Sequence, residues 1–122
     1  YGHYVYVCLD QGIMACYDAR TGEVAYEKKR MPERHFTASP WGYDDKVFCL
    51  GESGNTYLVK AGPEFEILHT NELGQETMAL ATPAIVGDRL LLRTERALYC
   101  LKQGEKLAEE PAEETPEEKD EE

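Results

Sequence analysis

The sequence predicts an all-β chain that forms a partial β-propeller of about two and a half four-stranded blades. A unit of short strands and hairpin turns occurs three times, at offsets of 42 and 43 residues. That period matches the roughly 40–45 residues of a propeller blade. Helical repeats of similar length require apolar residues at i, i+3 and i+4 over ten or more residues, and these segments lack that pattern.

The three units are defined by their alignment. At an offset of 43, Ala81-Thr82-Pro83 aligns with Ala38-Ser39-Pro40 and Gly87-Asp88 aligns with Asp44-Asp45. At an offset of 42, Val5-Tyr6-Val7 aligns with Val47-Phe48-Cys49. A one-residue deletion in the hairpin of the third unit restores the alignment of its last strand. The predicted units span about residues 4–35, 36–77 and 78–103, and an acidic tail occupies residues 104–122.

Each unit divides into strands and turns. Gly12 and Gly54 supply the positive φ that tight hairpin turns require. With Gln11-Gly12 as a two-residue loop, Val7 faces Cys16, and Cys8 and Cys16 lie on opposite faces. The third unit provides an inner strand and a central hairpin and then stops where a fourth strand is expected. The predicted strands are Tyr4–Leu9, Ile13–Asp18, Glu23–Lys29, a short strand ending at Ser39-Pro40, Val47–Gly51, Asn55–Val59 and Phe65–His69.

A closed propeller needs at least four blades, so the 122 residues are expected to be the C-terminal blades of a longer protein. The upstream blades of the same chain are then the first partner of this segment. The alternative is that three units fold alone or assemble with other copies.

The net charge of −11 is concentrated in the tail. Residues 105–122 contain ten acids and two bases, which leaves 14 acids and 11 bases in the body. A nearly neutral body argues against nucleic-acid binding, which calls for a basic stripe. No run approaches the roughly 18 apolar residues of a membrane span. The tail contains two prolines and a single Leu, which predicts disorder; the alternative is a segment that binds a basic partner or a cation.

The residues that could carry chemistry do not form a catalytic or metal motif. Cys16 and Cys100 align with Leu58 of the second unit, and Cys49 aligns with Val7 and Leu92. Positions that accept Leu or Val are packing positions, and no CxxC pair is present, so we interpret the four cysteines as core thiols. The three histidines are far from one another and from ligand-spaced partners. Trp41 is interpreted as packing between blades, with stacking on a ligand as the alternative. No catalytic or metal-binding residue is therefore predicted.

Two connections between units are candidate partner-binding loops, because propeller loops carry specificity. The basic linker Lys28–His35 contributes Arg30, Arg34 and His35. The polar linker Asn71–Thr77 contributes Glu72 and Gln75. For the basic linker, solvated loop charge and the binding of an anion are the alternative explanations.

The segment VYVCLDQGIMACYDARTGEVAY resembles the pyrroloquinoline-quinone (PQQ) type of propeller repeat, with Asp18, Thr21 and Gly22 in the Asp-x-x-Thr-Gly turn. Pro40 and Pro83 match the small-small-Pro that opens each repeat. The resemblance covers about Tyr4–Lys102. Ala61-Gly62-Pro63 replaces the Asp-x-x-Thr-Gly turn in the second unit. Cys16 and Tyr26 stand where the dehydrogenases of this type have the Ala and Trp that lock blades together.

The resemblance implies one of two functions. One branch comprises cofactor-free binding propellers, including the outer-membrane assembly lipoproteins; the other comprises dehydrogenases that use PQQ and calcium to oxidise alcohols or sugars. The departures at Cys16 and Tyr26 favour the first branch. We therefore expect a non-enzymatic protein-binding or scaffold module of the bacterial cell envelope, periplasmic or secreted, with no cofactor. A C-terminal fragment of a PQQ-dependent dehydrogenase is the alternative, and the sensor propeller of a signalling protein is a third possibility.

Overall fold

The structure, a computed structural model, describes residues 1–74 and 77–102. These residues contain strands and turns but no helix, which confirms the all-β prediction. The strands are β1 (Tyr4–Cys8), β2 (Ile13–Asp18), β3 (Val24–Arg30), β4 (Trp41–Tyr43), β5 (Lys46–Leu50), β6 (Thr56–Lys60), β7 (Ile67–Asn71), β8 (Ala84–Val86), β9 (Arg89–Arg93) and β10 (Leu98–Lys102).

The strands form three antiparallel sheets, each built from consecutive strands. Blade 1 is β1–β2–β3, blade 2 is β4–β5–β6–β7, and blade 3 is β8–β9–β10. Only blade 2 has four strands within the described part of the chain. By the repeat, blade 1 has no counterpart of β4 and blade 3 has none of β7 among the described residues. The acidic tail predicted for residues 104–122 lies outside the described residues.

The hairpin between β4 and β5 turns through two aspartates. Tyr43 pairs with Lys46, and Asp44 and Asp45 both have left-handed φ, at 49° and 56°. Two central residues with positive φ define a type I′ turn, whose twist matches that of the flanking strands. The Asp45 amide also donates to the Tyr1 hydroxyl at 2.9 Å, which ties this turn to blade 1.

The first central hairpin differs from the prediction by one residue. Cys8 pairs with Met14 and Tyr6 with Cys16, so the loop is Asp10-Gln11-Gly12 and not Gln11-Gly12. A three-residue loop with Gly12 at φ 75° allows the Gly12 amide to donate to the Leu9 carbonyl. Because strand faces alternate, the shifted register moves Cys8 and Cys16 onto the same face, contrary to the prediction.

Several strand boundaries also differ, and two of these differences affect the first linker. The inner strand of blade 2 begins after Pro40 rather than ending there, because proline has no N–H to donate to the ladder. The outer strand β3 continues to Arg30, one residue beyond the predicted Glu23–Lys29, so Arg30 belongs to a strand although the sequence assigned it to the linker. The left-handed φ of Lys28, 55°, accompanies a register shift opposite Met14 and Cys16, as at a β-bulge.

Blades 1 and 2 pack face to face over the larger of two apolar clusters. It contains Met14, Cys16 and Tyr26 from blade 1, Val47, Cys49, Tyr57 and Val59 from blade 2, and Met31 and Phe36 from the linker. Tyr26 pairs with Cys16 across β2 and β3 and meets Phe65 edge to face at 5.5 Å. An aromatic pair of this geometry contributes about 0.5–1.5 kcal/mol beyond its buried area. Cys16 and Tyr26, the two positions that the resemblance singles out, therefore pack together in this interface.

Blades 2 and 3 pack over a smaller cluster of Ala38, Leu50, Ala79 and Leu92. Trp41 stacks on Phe48 at 5.3 Å and packs against this cluster. The side chain thus has the interblade packing role that the sequence indicated. Equivalent positions of the repeat meet at both interfaces, since Leu50 and Leu92 at the second interface align with Cys8 and Cys49 at the first.

We expect Asp45→Gly to raise the free energy of unfolding by about 0.5–1 kcal/mol, because glycine adopts a left-handed φ without a Cβ clash. The Asp45 side chain makes no hydrogen bond or ion pair among the described residues, so the substitution removes only the strained conformation. Urea unfolding of the two chains measures the difference. Asp88→Gly is the comparison, because Asp88 holds the equivalent position without a positive φ; it is expected to lower the midpoint, since it also removes the ion pairs of Asp88 with Arg89 and Lys102. An unchanged or lowered midpoint for Asp45→Gly would contradict the prediction.

Candidate functional site

The antiparallel connections divide the loops between two ends of the blades. One end, called here the linker end, carries the central hairpins (residues 9–12, 51–55 and 94–97) and the described parts of the linkers between blades (31–40, 72–74 and 77–83). The opposite turn end carries the remaining turns, including residues 19–23 and 44–45. The Arg30–Ile13 pair places the end of β3 at the linker end as well.

Backbone hydrogen bonds fix both linkers to the central hairpins in the same way. Phe36 N–H donates to the Asp10 carbonyl at 3.0 Å, and Ala79 N–H, its counterpart, donates to the Glu52 carbonyl at 2.8 Å. Each linker also accepts a bond from the hairpin of the following blade. The Glu52 amide donates to the carbonyl of His35 in the first linker at 2.9 Å, and the Glu95 amide donates to the carbonyl of Met78 in the second linker. We call this repeated pair of bonds the linker clamp. It uses only main-chain atoms, so the side chains beside it can vary.

The Glu33 carboxylate adds a side-chain contact to the first clamp. It accepts hydrogen bonds from the Ser53 hydroxyl at 2.6 Å and from the Tyr57 hydroxyl at 2.9 Å. A Cβ at Gly51 would overlap this carboxylate, so the approach of Glu33 depends on glycine there. The linker thus places a carboxylate from one side of the interface on the hairpin of the next blade.

Four of the five predicted partner-loop residues lie at the linker end. Arg30, Arg34, His35 and Glu72 are exposed there. Arg34 and His35 point outward between the buried anchors Met31 and Phe36. Gln75, the fifth, lies outside the described residues. The structure therefore brings the basic residues of the first linker and Glu72 of the second to one surface.

The predicted turn signature lies at the other end of blade 1. The Asp18 carboxylate accepts hydrogen bonds from the Arg20 amide and guanidinium, at 2.9 Å each. Those bonds from Arg20 hold the pKa of Asp18 at about 2, below its usual value. Thr21 accepts a hydrogen bond from Glu23 N–H, and Gly22 has a φ of 75°. These residues stabilise a turn at the far side from the partner loops.

The remaining signature residues lie along the linkers and the second hairpin. Pro40 and Pro83 precede β4 and β8. Just before them, the Ser39 amide donates to the hydroxyl of Thr82, its counterpart in the repeat, at 2.9 Å. Gly54 has a φ of 88°, and a Cβ there would press on Thr77 at 3.0 Å. These positions join neighbouring units.

The sequence reasoning missed an apolar patch at the linker end. Met78 and Leu80 are 46% and 48% exposed, and they line a shallow cavity with Arg93, Thr94 and Glu95. Their counterparts in the first linker are the polar His35 and Thr37. The sequence did contain a signal for this exposure. Met78 and Leu80 flank Ala79, which aligns with Phe36, and both Ala79 and Phe36 are buried. An exposed apolar pair with charged neighbours is the composition of a small protein-binding surface.

The described residues contain no group of three or more His, Cys, Asp or Glu side chains that could hold a metal ion. A calcium ion of the dehydrogenase type would therefore find no such cluster in residues 1–74 and 77–102. The described part of the chain also contains no helix of the length and hydropathy that a membrane crossing requires.

Comparison with known proteins identifies the fold. No protein-family model matches the chain, and no curated protein matches it. Among solved structures, the chain is similar to a crystal structure of BamB from Moraxella catarrhalis, a β-propeller, with a TM-score of 0.64 and 18% identity over 83% of this chain. The match covers 31% of that BamB chain. The likeness confirms that this chain has a partial β-propeller fold.

We expect Glu33→Ala to lower the free energy of unfolding by about 1.5–3 kcal/mol, because it leaves the Ser53 and Tyr57 hydroxyls without their charged acceptor. Urea unfolding measures the loss. Glu27→Ala, on the exposed part of β3, is the matched control and is expected to stay within about 0.5 kcal/mol of the unmodified chain. Equal effects of the two substitutions would show that the Glu33 contacts do not stabilise the interface.

Burial, with a smaller contribution from Glu33, raises the pKa of Tyr57 to about 12 from 10.0. A folded-state pKa above the unfolded value means that the stabilisation is complete below pH 10 and is lost as pH rises towards about 12. We expect the free energy of unfolding to fall between about pH 9 and about pH 11.5, and to fall less steeply in Tyr57→Phe. Burial raises the pKa values of Tyr6 and Tyr26 too, so part of the loss remains. Identical slopes for both chains would contradict this assignment.

Proposed function

We propose that this chain is a non-enzymatic, PQQ-like propeller module that binds a protein partner in the bacterial cell envelope. The observation that carries the proposal is the surface at the linker end, where Met78 and Leu80 are exposed beside Arg93 and Glu95. The clamp holds this surface in place without using its side chains. Partner binding therefore needs little ordering of the loops, which lowers the entropic cost of association.

The chemistry of this surface indicates what a partner must present. Arg34, on the first linker, forms no ion pair among the described residues, and neither does Arg30 beside it. The second linker supplies the apolar pair. We propose a partner segment that places apolar side chains on Met78 and Leu80 and acidic side chains towards Arg30 and Arg34. Opposite charges at the rim would direct the association, and apolar contact would supply most of the affinity.

The cell-envelope location and the PQQ-like class are proposals as well. They are supported by the Asp18, Thr21 and Gly22 turn, by the repeated small-small-Pro, and by the likeness of the fold to BamB. We further propose that upstream blades of a longer chain complete the ring and that no cofactor is required.

Site-specific photo-crosslinking in the cell envelope tests the partner surface. A photoreactive residue at position 34 or 80 is expected to give an adduct with one and the same protein, which mass spectrometry identifies. Met78→Ser combined with Leu80→Ser is expected to weaken that adduct at position 34 by tenfold or more, as the loss of about 1.4 kcal/mol or more would require. Circular dichroism verifies that the fold is retained.

The matched controls are positions 24 and 68, where Val24 and Leu68 are 51% and 44% exposed on the outer strands. A photoreactive residue at either position is expected to give no such adduct. The same adducts from the outer strands, or adducts insensitive to the double substitution, would contradict the proposed surface. Turnover of alcohols or sugars with PQQ, calcium and an artificial electron acceptor would instead favour the dehydrogenase alternative.

A further inference from the structure

Three sulfur-containing side chains meet at the interface between blades 1 and 2. Cys8 on β1 lies directly opposite Met14 on β2 in the strand ladder. From the facing blade, the Cys49 Sγ lies 3.9 Å from the Met14 Sδ. Cys49 and Met14 are buried in the larger apolar cluster, and Cys8 packs against it while keeping part of its surface accessible.

The repeat independently places these two cysteine positions opposite each other. Cys8 aligns with Leu50 at an offset of 42, and Cys49 aligns with Leu92 at an offset of 43. Leu50 and Leu92 belong to the one buried cluster that joins blades 2 and 3. Facing blades therefore meet at this pair of positions at both interfaces. At the second interface the pair is aliphatic, and at the first both members are thiols.

We propose that Cys8 and Cys49 form a disulfide that joins blades 1 and 2 when the protein meets a small-molecule disulfide. Both thiols are free in the structure, so the disulfide would form by a later oxidation of the folded chain. Each cysteine alone could serve as a small core side chain. Packing alone, however, does not require two cysteines at positions that face each other across the interface.

The chemistry proceeds by thiol–disulfide exchange. The Cys8 thiolate attacks one sulfur of the small-molecule disulfide and releases one thiol. The Cys49 sulfur then attacks the Cys8 sulfur of the mixed disulfide and releases the second thiol. The two cysteines are oxidised, one external disulfide is reduced to two thiols, and the protons of Cys8 and Cys49 end on the released thiols.

The environments of the two thiols suit this order. The neighbouring Cys49 side chain lowers the pKa of the Cys8 thiol, and the neighbouring Cys8 side chain together with burial raises the pKa of the Cys49 thiol. The more accessible thiol is thus the better first nucleophile, and the buried one acts once the mixed disulfide has formed. An oxidising compartment such as the periplasm would maintain the bond. The disulfide is independent of the partner surface, which uses neither cysteine.

Mass spectrometry of the chain after incubation with oxidised glutathione tests the proposal. Cys8 and Cys16 share one tryptic peptide, so the test uses the Cys16→Ala chain, in which each cysteine peptide has one thiol. Alanine is apolar and smaller than cysteine, so it fits at this buried position without a clash. The expected result is a linked pair of the peptides that contain Cys8 and Cys49, with exposed Cys100 carrying glutathione. The urea midpoint should rise on oxidation and return on reduction, because the crosslink constrains the unfolded chain.

Cys8→Ala is the matched control, and it is expected to leave Cys49 free and to abolish the oxidation-dependent midpoint shift. A Cys49 thiol that stays fully alkylatable after unfolding, while Cys100 is glutathionylated, would overturn the proposal. A link from Cys49 to Cys100 in place of Cys8 would overturn it as well. The linked peptide is sought in a chain that retains both cysteines, so the result does not depend on the folding of Cys8→Ala.

Discussion

Face-to-face packing of one blade on the next is the interaction on which the rest of this structure depends. A small antiparallel sheet of three or four strands buries little apolar surface by itself and gains most of its stability when a face is covered. Both buried clusters lie between sheets, and the larger one draws on blade 1, blade 2 and the linker. The core is therefore a property of the interfaces, and everything that sets the distance between blades affects its packing.

The linkers maintain that distance, and this explains their unequal side chains. The clamp uses the amides of Phe36 and Ala79, and their side chains are buried at the interfaces. Between and beside these anchors, outward positions contribute little to the core, so they are free to be basic in the first linker and apolar in the second. A repeat with fixed main-chain bonds and variable outward side chains can present different surfaces without changing its fold.

Much of this fold could be predicted from the sequence, because strand alternation and turn chemistry are local. The order of the strands and the shortened third hairpin both follow from short segments. The loop at Gly12 was wrong by one residue, because two-residue and three-residue hairpins both place a glycine at a positive φ. That single residue reversed the face assigned to Cys8 relative to Cys16. The register of this hairpin depends on the carbonyl that the Gly12 amide reaches, which the position of the glycine alone does not specify.

The candidate site was less predictable, for a related reason. The linker charges at Arg34 and His35 are visible in the sequence, and their exposure at one end follows once the strands are antiparallel. The exposure of Met78 and Leu80 is different, because apolar residues before an inner strand are expected to be buried. What decides it is the clamp, which turns Ala79 inward and thereby forces both neighbours outward. The proximity of Cys8 and Cys49 is likewise a product of the folded structure. They are far apart in the sequence, and the packing of blade 1 on blade 2 brings them together. Function in this chain therefore depends on how the units stack, which the repeat indicates but does not by itself resolve.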